Sequence, residues 1–366
     1  MRLAEWSTHP IHLPYPHVIH WASSQEDGAD YLLLRVGAED GLVGVAEAQV
    51  KPARNGIDLH GLSEVVEELV IPLIRDLDLL DEQAVSRALS TVREQPQARS
   101  LVESACWDLR SQFRGQPLWQ IWGGDPEVPL SWTVTRQPPA AMAEEAGTMV
   151  DRYGFGTLKV KTGQSRESDR AALTQISFAV GLDVRLMIDA NRSYKQHEAL
   201  DYLKELADLG VTIAEDPCQL RPDGAFEELQ AASPIPILVD NGCRSLEDAA
   251  LFIERGAQAI SLKTGGTGIA EAQRMAELAH AHHCAAHVGN VGDASLGALV
   301  AMQIQSALPT REYSLPTEAS FFLTYADDVV TERLRVENGW VRLPDTPGIA
   351  PLVDWERVRS LAPVAR

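Results

Sequence analysis

Several features that define other classes of protein are missing from this 366-residue sequence. Its four cysteines, Cys106, Cys218, Cys243 and Cys284, form no C-x-x-C pair, so we expect neither a zinc cluster nor a disulfide framework. No apolar run approaches the roughly 20 residues that a membrane helix needs. The amino terminus shows no basic start followed by an apolar core, so no secretion signal is predicted. We therefore expect a cytoplasmic protein that does not bind membranes.

Basic residues are also scarce. The chain has 32 lysines and arginines against 52 aspartates and glutamates, which gives a net charge of -20. Nucleic acid and anionic membrane surfaces offer no counter-charge to such a protein, so we exclude both as partners. A small anionic substrate is still possible, because a few lysines and a divalent metal can reverse the field inside a pocket.

From Val128 onward, short apolar runs alternate with helical segments. Near-continuous apolarity is typical of parallel strands that are covered on both faces. The predicted strands are 128–134, 157–160, 184–188, 211–214, 235–239, 259–262 and 284–288, with an eighth at 311–314. The pattern predicts an α/β fold, a modified TIM (β/α) barrel, over residues 123–322.

The first 122 residues lack this repeating unit. Strand-like runs at 31–36 and 41–48 flank a turn at 38–41, and helical spacing follows at 62–71 and 101–113. We therefore predict an N-terminal α+β capping domain over residues 1–122. Residues 323–366 form a tail with a strand-turn-strand pattern at 334–343, which we expect to pack back on the cap.

Charged residues stand near the ends of five of the barrel strands. Starting from Lys161, the intervals to Asp189, Glu215, Asp240 and Lys263 are 28, 26, 25 and 23 residues, about one strand-plus-helix unit each. Because the ends of parallel barrel strands surround one mouth, three carboxylates and the lysines should meet there. The sequence therefore predicts a metal site, with Asp189, Glu215 and Asp240 as ligands, flanked by bases.

Three carboxylates form a hard oxygen site that suits Mg²⁺, with Mn²⁺ as the alternative. Such a cation can hold a substrate carboxylate and stabilise the enolate formed when the adjacent proton leaves. Lys161 is the predicted base or acid on one face of the α-carbon and Lys263 on the other. Lys159 shares a strand face with Lys161, so with the metal nearby we expect each to disfavour protonation of the other. The alternative for Lys159 is a solvated surface lysine.

The order of these motifs resembles the enolase superfamily, and within it the muconate-lactonizing-enzyme subgroup (muconate cycloisomerases and dipeptide epimerases) of the mandelate racemases and muconate lactonizing enzymes. The resemblance covers nearly the whole chain and rests on Lys159-Val160-Lys161, Asp189-Ala190-Asn191, Glu215-Asp216-Pro217, Asp240 and Lys263-Thr264-Gly265-Gly266. It implies a barrel with a cap, a magnesium-dependent enzyme and a small carboxylate substrate. We also expect a homo-oligomer.

Two positions depart from the pattern of the family. Asn241 follows the third ligand where the family commonly has glutamate, and Asp293 stands where the seventh strand often carries glutamate. The resemblance implies that Asn191, Asp293 and Trp21 bind substrate. Asn191 could instead be a turn residue, Asp293 a helix cap and Trp21 a packing residue between cap and barrel.

The reaction type stays open at this stage. The scaffold of this family supports cycloisomerisation, 1,1-proton transfer or β-elimination. Two lysines on opposite faces allow racemisation or epimerisation, whereas a lyase, such as a dehydratase, needs only one base and an acid. His287 on the seventh strand could act as an imidazole base, as in the mandelate-racemase branch. A barrel that binds metal without catalysis is the reading outside enzymology, and Asn241 is its only support.

Overall fold

The structure is a computed structural model that describes residues 1–20, 25–309 and 314–363. It begins with an antiparallel sheet of three strands in the order β1 (Leu3–His20), β2 (Gln25–Ala38) and β3 (Val43–Val50). The predicted hairpin is confirmed, since β2 pairs with β3 around the turn in which Gly41 N–H donates to Ala38 O over 2.9 Å. Strand β1 was not predicted. Its prolines, Pro10 and Pro14, resemble strand breaks, but an edge strand tolerates proline because one side needs no N–H donor.

Helices cover one face of this sheet. They are α1 (Pro52–Asn55), α2 (Leu59–Glu64), a π-helix (Val65–Val70), α3 (Ile71–Ile74), α4 (Glu82–Leu89), α5 (Pro96–Arg114) and α6 (Leu118–Ile121). The helix predicted at 62–71 thus contains a π-turn, in which Ile71 N–H reaches back to Val66 O. Pro72 explains the widening, because a proline ring clashes with the carbonyl four residues before it and has no N–H to donate.

Strand β2 is buried on both faces and lies between two apolar cores. Leu32, Leu34 and Val36 point into a core shared with the cap helices, whereas Tyr31 and Leu33 belong to the larger core that continues into the barrel. The period of two along a strand produces this division. The cap is therefore packed against the barrel through side chains that no solvent layer separates.

Seven parallel strands form the barrel wall in the order in which they occur along the chain. They are β5 (Trp132–Val134), β6 (Thr157–Lys161), β7 (Arg185–Asp189), β8 (Val211–Glu215), β9 (Ile237–Val239), β10 (Ala259–Leu262) and β11 (Ala285–Val288). The helices are α7 (Pro139–Tyr153), α8 (Arg166–Val180), α9 (Gln196–Asp208), α10 (Gly224–Ala232), α11 (Leu246–Glu254), α12 (Thr264–Thr267), α13 (Ile269–Ala281) and α14 (Ser295–Ser306). No helix in the described ranges combines the length and the apolarity that a membrane crossing requires.

The prediction of a single strand at 128–134 is wrong. It divides into β4 (Glu127–Pro129), which leaves the barrel, and β5, which starts it. Strand β4 joins the tail hairpin of β12 (Val336–Glu337) and β13 (Trp340–Arg342) in a separate sheet. The chain leaves one sheet and enters the other at Leu130 and Ser131. Strand β4 can therefore pair with the tail hairpin, while β5 pairs with its neighbour in the barrel.

Residues 315–318 close the ring between β11 and the start of β5. Thr317 N–H donates to Pro129 O over 3.1 Å and accepts through its own carbonyl from Ser131 N–H, while Glu318 N–H donates to Val288 O over 3.3 Å. Residues 311–313 of the predicted eighth strand lie outside the described residues, and the closing contacts come just after them.

The end of the tail contacts strand β1 and helix α5, whereas its hairpin pairs with β4. A 3₁₀-helix at Phe321–Thr324 precedes the tail hairpin. After the hairpin come a second 3₁₀-helix at Ala350–Leu352 and the helix α15 (Trp355–Ser360), which contacts β1. Asp108 on α5 accepts hydrogen bonds from the backbone N–H groups of Val45, Ile349 and Ala350. One buried carboxylate therefore ties the tail to both a cap strand and a cap helix.

Candidate active site

The predicted charged residues meet at the carboxyl ends of the barrel strands. Strand β6 ends at Lys161, β7 at Asp189 and β8 at Glu215, and the parallel register places Lys161 beside Asp189 and Asp189 beside Glu215. Asp240 and Lys263 directly follow β9 and β10. Spacing of about one βα unit thus brings these side chains together because the strands are parallel and in order.

Lys159 lies deepest in this group. Its side chain is 4% exposed, and its Nζ is 2.5 Å from Glu215 Oε2, 2.6 Å from Glu318 Oε1 and 3.4 Å from Asp189 Oδ2. Burial by itself lowers the pKa of Lys159, but the carboxylates of Glu215, Glu318 and Asp189 raise that pKa well above its usual value. The alternative of a solvated lysine is wrong, and without a metal the three carboxylates outweigh the neighbouring Lys161 in their effect on the pKa of Lys159.

Lys161 stands nearer the mouth on the same strand face. Its Nζ is 2.6 Å from Asp189 Oδ2. Burial opposes ionisation of Asp189, yet Lys161 and Lys159 together hold the pKa of that carboxyl well below its usual range. Asn191 orients the same carboxylate, because its backbone N–H donates to Oδ1 over 2.7 Å and its side-chain amide to Oδ2 over 3.0 Å.

Lys263 occupies the opposite wall, where its Nζ is 2.5 Å from Asp240 Oδ2. Strands β6 and β10 are four positions apart in the ring, so Lys161 and Lys263 approach the carboxylates from facing sides. Burial opposes ionisation of Asp240, but Lys263 and Lys159 lower its pKa. Each of the two lysines therefore contacts a different one of the predicted metal ligands.

The residue after Asp240 supports the position of this ligand. The Asn241 side-chain amide donates to Asp216 Oδ2 over 2.6 Å, and the Asp240 backbone N–H donates to Asp216 Oδ1 over 3.2 Å. Burial, with the charges of Asp240 and Asp189, raises the pKa of Asp216 to about 6. Asparagine at 241 supplies a donor where a glutamate oriented in the same way would place a second negative charge against Asp216.

The carboxylates fit a divalent cation with a preference for oxygen. Among the described residues, none donates a hydrogen bond to the buried Oδ1 of Asp240. Burial and the charge of Asp189 raise the pKa of Glu215 well above its usual value, so a cation close to Glu215 would favour its ionised form. Both observations agree in charge with a cation held by Asp189, Glu215 and Asp240.

Among the described residues, a single group of possible ligands lies close together, and it shares only Glu215 with the predicted set. Glu215, His287 and Glu318 place one ligand atom each within 4.8 Å of one another. The Lys159 ammonium group contacts members of both sets, so its position does not choose between them. His287 would add a nitrogen ligand, whereas the predicted set has none. We therefore prefer Asp189, Glu215 and Asp240, which offer oxygen atoms alone, as the set that suits Mg²⁺.

Sequence reasoning missed Glu318 and understated how closely His287 is held. Glu318 follows the short segment that closes the ring, 55 residues or about two units after Lys263, and that interval was the available signal. The fully buried His287 approaches Pro316 O through Nδ1 over 3.2 Å, and its Nε2 is 3.6 Å from Glu318 Oε1. A carbonyl only accepts, so Nδ1 carries the hydrogen. Burial lowers the pKa of His287, which favours the neutral ring.

The predicted substrate contacts are only partly described. Trp21 lies outside the described residues. Asp293 is 9% exposed. It lies close to Glu47 of the cap, as both side chains come within 3.0 Å of the position that a Cβ on Gly297 would occupy. Lys51 of the cap has its Nζ 3.1 Å from Glu26 Oε2.

Comparison with known proteins identifies two family regions in the chain. Residues 6–123 match the mandelate racemase / muconate lactonizing enzyme N-terminal domain, and residues 141–357 match the enolase C-terminal domain-like family. The structure of muconate lactonizing enzyme from Mycobacterium smegmatis in complex with muconolactone is similar over 100% of both chains, with a TM-score of 0.93 and 26% identity.

Two curated relatives carry different activities. Chloromuconate cycloisomerase of Cupriavidus pinatubonensis is 26% identical over 97% of each chain. Hydrophobic dipeptide epimerase of Enterococcus faecalis is 29% identical over 63% of this chain and 65% of its own. Both are isomerases, and the chain is an enzyme of that class. It belongs to the mandelate racemase and muconate lactonizing enzyme family of the enolase superfamily.

Proposed function

We propose that this protein is a Mg²⁺-dependent isomerase that removes the proton next to a substrate carboxylate, either a muconate-type cycloisomerase or a racemase or epimerase of an amino-acid derivative. The single observation that carries this proposal is the placement of Lys161 and Lys263 on opposite sides of one carboxylate cluster. Two lysines that face each other can remove a proton from one side of a carbon and deliver one to the other.

Each residue of the cluster has a separate role in the proposal. Asp189, Glu215 and Asp240 would hold the metal, for which Mn²⁺ is an alternative to Mg²⁺. Bound Mg²⁺ would supply positive charge that stabilises a substrate carboxylate as its α-proton leaves and that disfavours protonation of nearby lysines. The Nζ atom of one of the two lysines, Lys161 or Lys263, removes the α-proton of the substrate, and the Nζ atom of the other delivers a proton to the opposite face.

Lys159 differs from the other two lysines in its surroundings. Contacts with Glu215 and Glu318 keep its ammonium group charged and fixed. A fixed positive charge near the site costs no reorganisation when negative charge develops on the substrate. We therefore propose that Lys159 stabilises charge and does not act as a base.

Several parts of the proposal rest on the sequence pattern and the resemblance alone. They are the domain boundaries at 1–122, 123–322 and 323–366, the homo-oligomeric state, and substrate contacts by Asn191, Asp293 and Trp21. A lyase needs one base and one acid, and Lys161 and Lys263 would also meet that need, so the experiment below separates a lyase from an isomerase. A barrel without catalysis would leave both lysines unexplained.

The test uses the full-length protein with Mg²⁺ in D₂O and a panel of muconates, N-acylated amino acids, dipeptides, proline derivatives and hydroxy acids. Proton NMR and mass spectrometry follow each compound. Deuterium at an α-carbon with inversion establishes a racemase or epimerase, whereas ring closure establishes a cycloisomerase. Loss of water would replace the proposal with a lyase, and no change in any compound would favour the barrel without catalysis.

Two variants test the role of the lysines in the reaction found. Lys161→Ala and Lys263→Ala should each lower turnover about 10²- to 10⁴-fold, the contribution of one positioned acid or base. Mg²⁺ affinity, measured by calorimetry, should stay within about one order of magnitude, since neither lysine is a ligand. Activity retained in both variants would refute the assignment.

A further inference from the structure

The segment that follows Lys263 is held by the capping domain. Helix α12 begins directly after Lys263, and the backbone N–H groups of Gly266 and Thr267 donate to Lys263 O over 2.9 Å each. On the cap helix α5, Ser100 Oγ donates to Thr264 O over 2.5 Å. The first turn after the lysine is therefore bonded both to Lys263 itself and to another domain.

Helix α13, which comes next, lacks a capping side chain of its own. The residue before it is Gly268, which has no side chain to accept from the free N–H groups of the first turn. Glu103 on α5 takes this role, because its Oε2 accepts from Ile269 N–H over 2.9 Å and its Oε1 from Ala270 N–H over 3.1 Å. A carboxylate is also favoured at this end by the helix dipole.

The fit between Glu103 and this segment is close. Glu103 is 8% exposed and Ser100 is 3% exposed. Gly268 has a φ of +89°, and a Cβ added there would meet Glu103 Oε2 at 2.3 Å. Glycine at 268 thus satisfies two demands at once, the left-handed backbone and the space for a carboxylate from the cap.

We propose that Glu103, with Ser100, is a positioning residue for Lys263: the cap fixes segment 264–270 and through it places the Lys263 ammonium group beside Asp240. This inference rests on the proposed function for its catalytic meaning. Its physical content is that the segment of Lys263 is held by two domains, whereas Lys161 lies on strand β6 and contacts Asp189 of the neighbouring barrel strand β7. The cap then contributes to the proton-transfer geometry.

The first test needs no substrate. Lys263 and Lys161 have side chains of similar exposure, 21% and 17%, so Lys161 is an internal reference for the reactivity of Lys263. Reductive methylation of the metal-free full-length protein, read by peptide mass spectrometry, gives the ratio of the two rates. Glu103→Gln keeps the shape of the side chain but loses the charge and one hydrogen-bond acceptor. The ratio of the two methylation rates should change about five-fold, which corresponds to the free energy of one lost helix cap.

Amide hydrogen exchange gives a second readout of the same change. Exchange of residues 264–270 should rise about five-fold in Glu103→Gln, because a weakened cap lets the segment open more often. Ser100→Ala removes one hydroxyl and leaves a small cavity, so it should fold and shift both readouts in the same direction.

The matched control is Asp223→Asn. Asp223 caps α10 by accepting from Ala225 N–H and Phe226 N–H over 3.1 Å each, which is the same chemistry within one domain. It should raise exchange in 225–232 and leave the ratio of Lys263 to Lys161 methylation unchanged. If Glu103→Gln raises exchange in 264–270 but leaves that ratio unchanged, Glu103 only caps a helix and the proposal is overturned.

Kinetics with the substrate found in the D₂O panel then test the catalytic meaning. Glu103→Gln should lower kcat about five-fold or more with KM little changed, since a displaced lysine affects proton transfer more than binding. Asp223→Asn should leave both constants unchanged. A wild-type protein without turnover on the panel would count against the proposed function, whereas an unchanged methylation ratio counts against the positioning role, so the two failures are distinguishable.

Discussion

Replacement of Lys159 by methionine tests the electrostatic reasoning about the site most directly. The side chain is 4% exposed and its Nζ lies within 3.4 Å of three carboxylates, those of Asp189, Glu215 and Glu318. Methionine keeps much of the volume but removes the charge, which leaves these carboxylates buried without their common cation. Breaking a buried ion pair in this way costs about 3 to 5 kcal/mol.

The expected loss can be converted into a measurable shift. With a urea dependence of about 3 kcal/mol per molar, the unfolding midpoint should fall by about 1 to 1.7 M in the presence of EDTA. Circular dichroism along a urea series measures this midpoint. Added Mg²⁺ should stabilise the Lys159→Met variant more than the wild type, since the variant has more negative charge at the site.

Lys204→Met is the matched control for this measurement. The Lys204 side chain is 57% exposed and its Nζ is 3.8 Å from Asp201 on α9. Loss of such a surface pair should cost less than about 0.5 kcal/mol. The reasoning is refuted if Lys159→Met and Lys204→Met shift the midpoint in EDTA by similar amounts, or if Mg²⁺ stabilises Lys159→Met no more than the wild type.

Two further predictions follow from buried polar groups near the site. Asn241→Ala removes the 2.6 Å hydrogen bond to Asp216, which also holds the backbone of Asp240. Mg²⁺ affinity, measured by calorimetry, should fall about 10- to 100-fold, as is typical for a residue that orients a ligand, and an unchanged affinity would contradict this role. Burial and then the charges of Asp293 and Asp328 raise the pKa of Glu47 well above its usual 4.5, so the folded state binds more protons than the unfolded state above that pH. Stability should therefore decrease as the pH rises from about 5 to 8, and Glu47→Gln should flatten this dependence in urea unfolding; parallel profiles for both proteins would show that Glu47 is not the source.

The order of the charged residues along the chain was sufficient to predict the cluster. Lys161, Asp189, Glu215, Asp240 and Lys263 recur once per βα unit, and parallel strands place equal positions in successive units at the same end of the barrel. Local alternation along β6 also placed Lys159 on the face of Lys161. These properties depend on periodicity, which a sequence displays directly.

The environment of each group was decided only by tertiary structure. Lys159 was expected to have a lowered pKa because Lys161 is its neighbour in sequence, but Glu318 reaches it through closure of the ring 159 residues later. In the same way, the N-terminus of α13 receives its cap from Glu103, which is 166 residues away in sequence. The sequence therefore determined which charges of strands β6 to β10 line the mouth, because strand periodicity is local, but it did not reveal Glu318. The three-dimensional fold determined which of them neutralise one another, because electrostatic and hydrogen-bond partners depend on distance in space and not on separation along the chain.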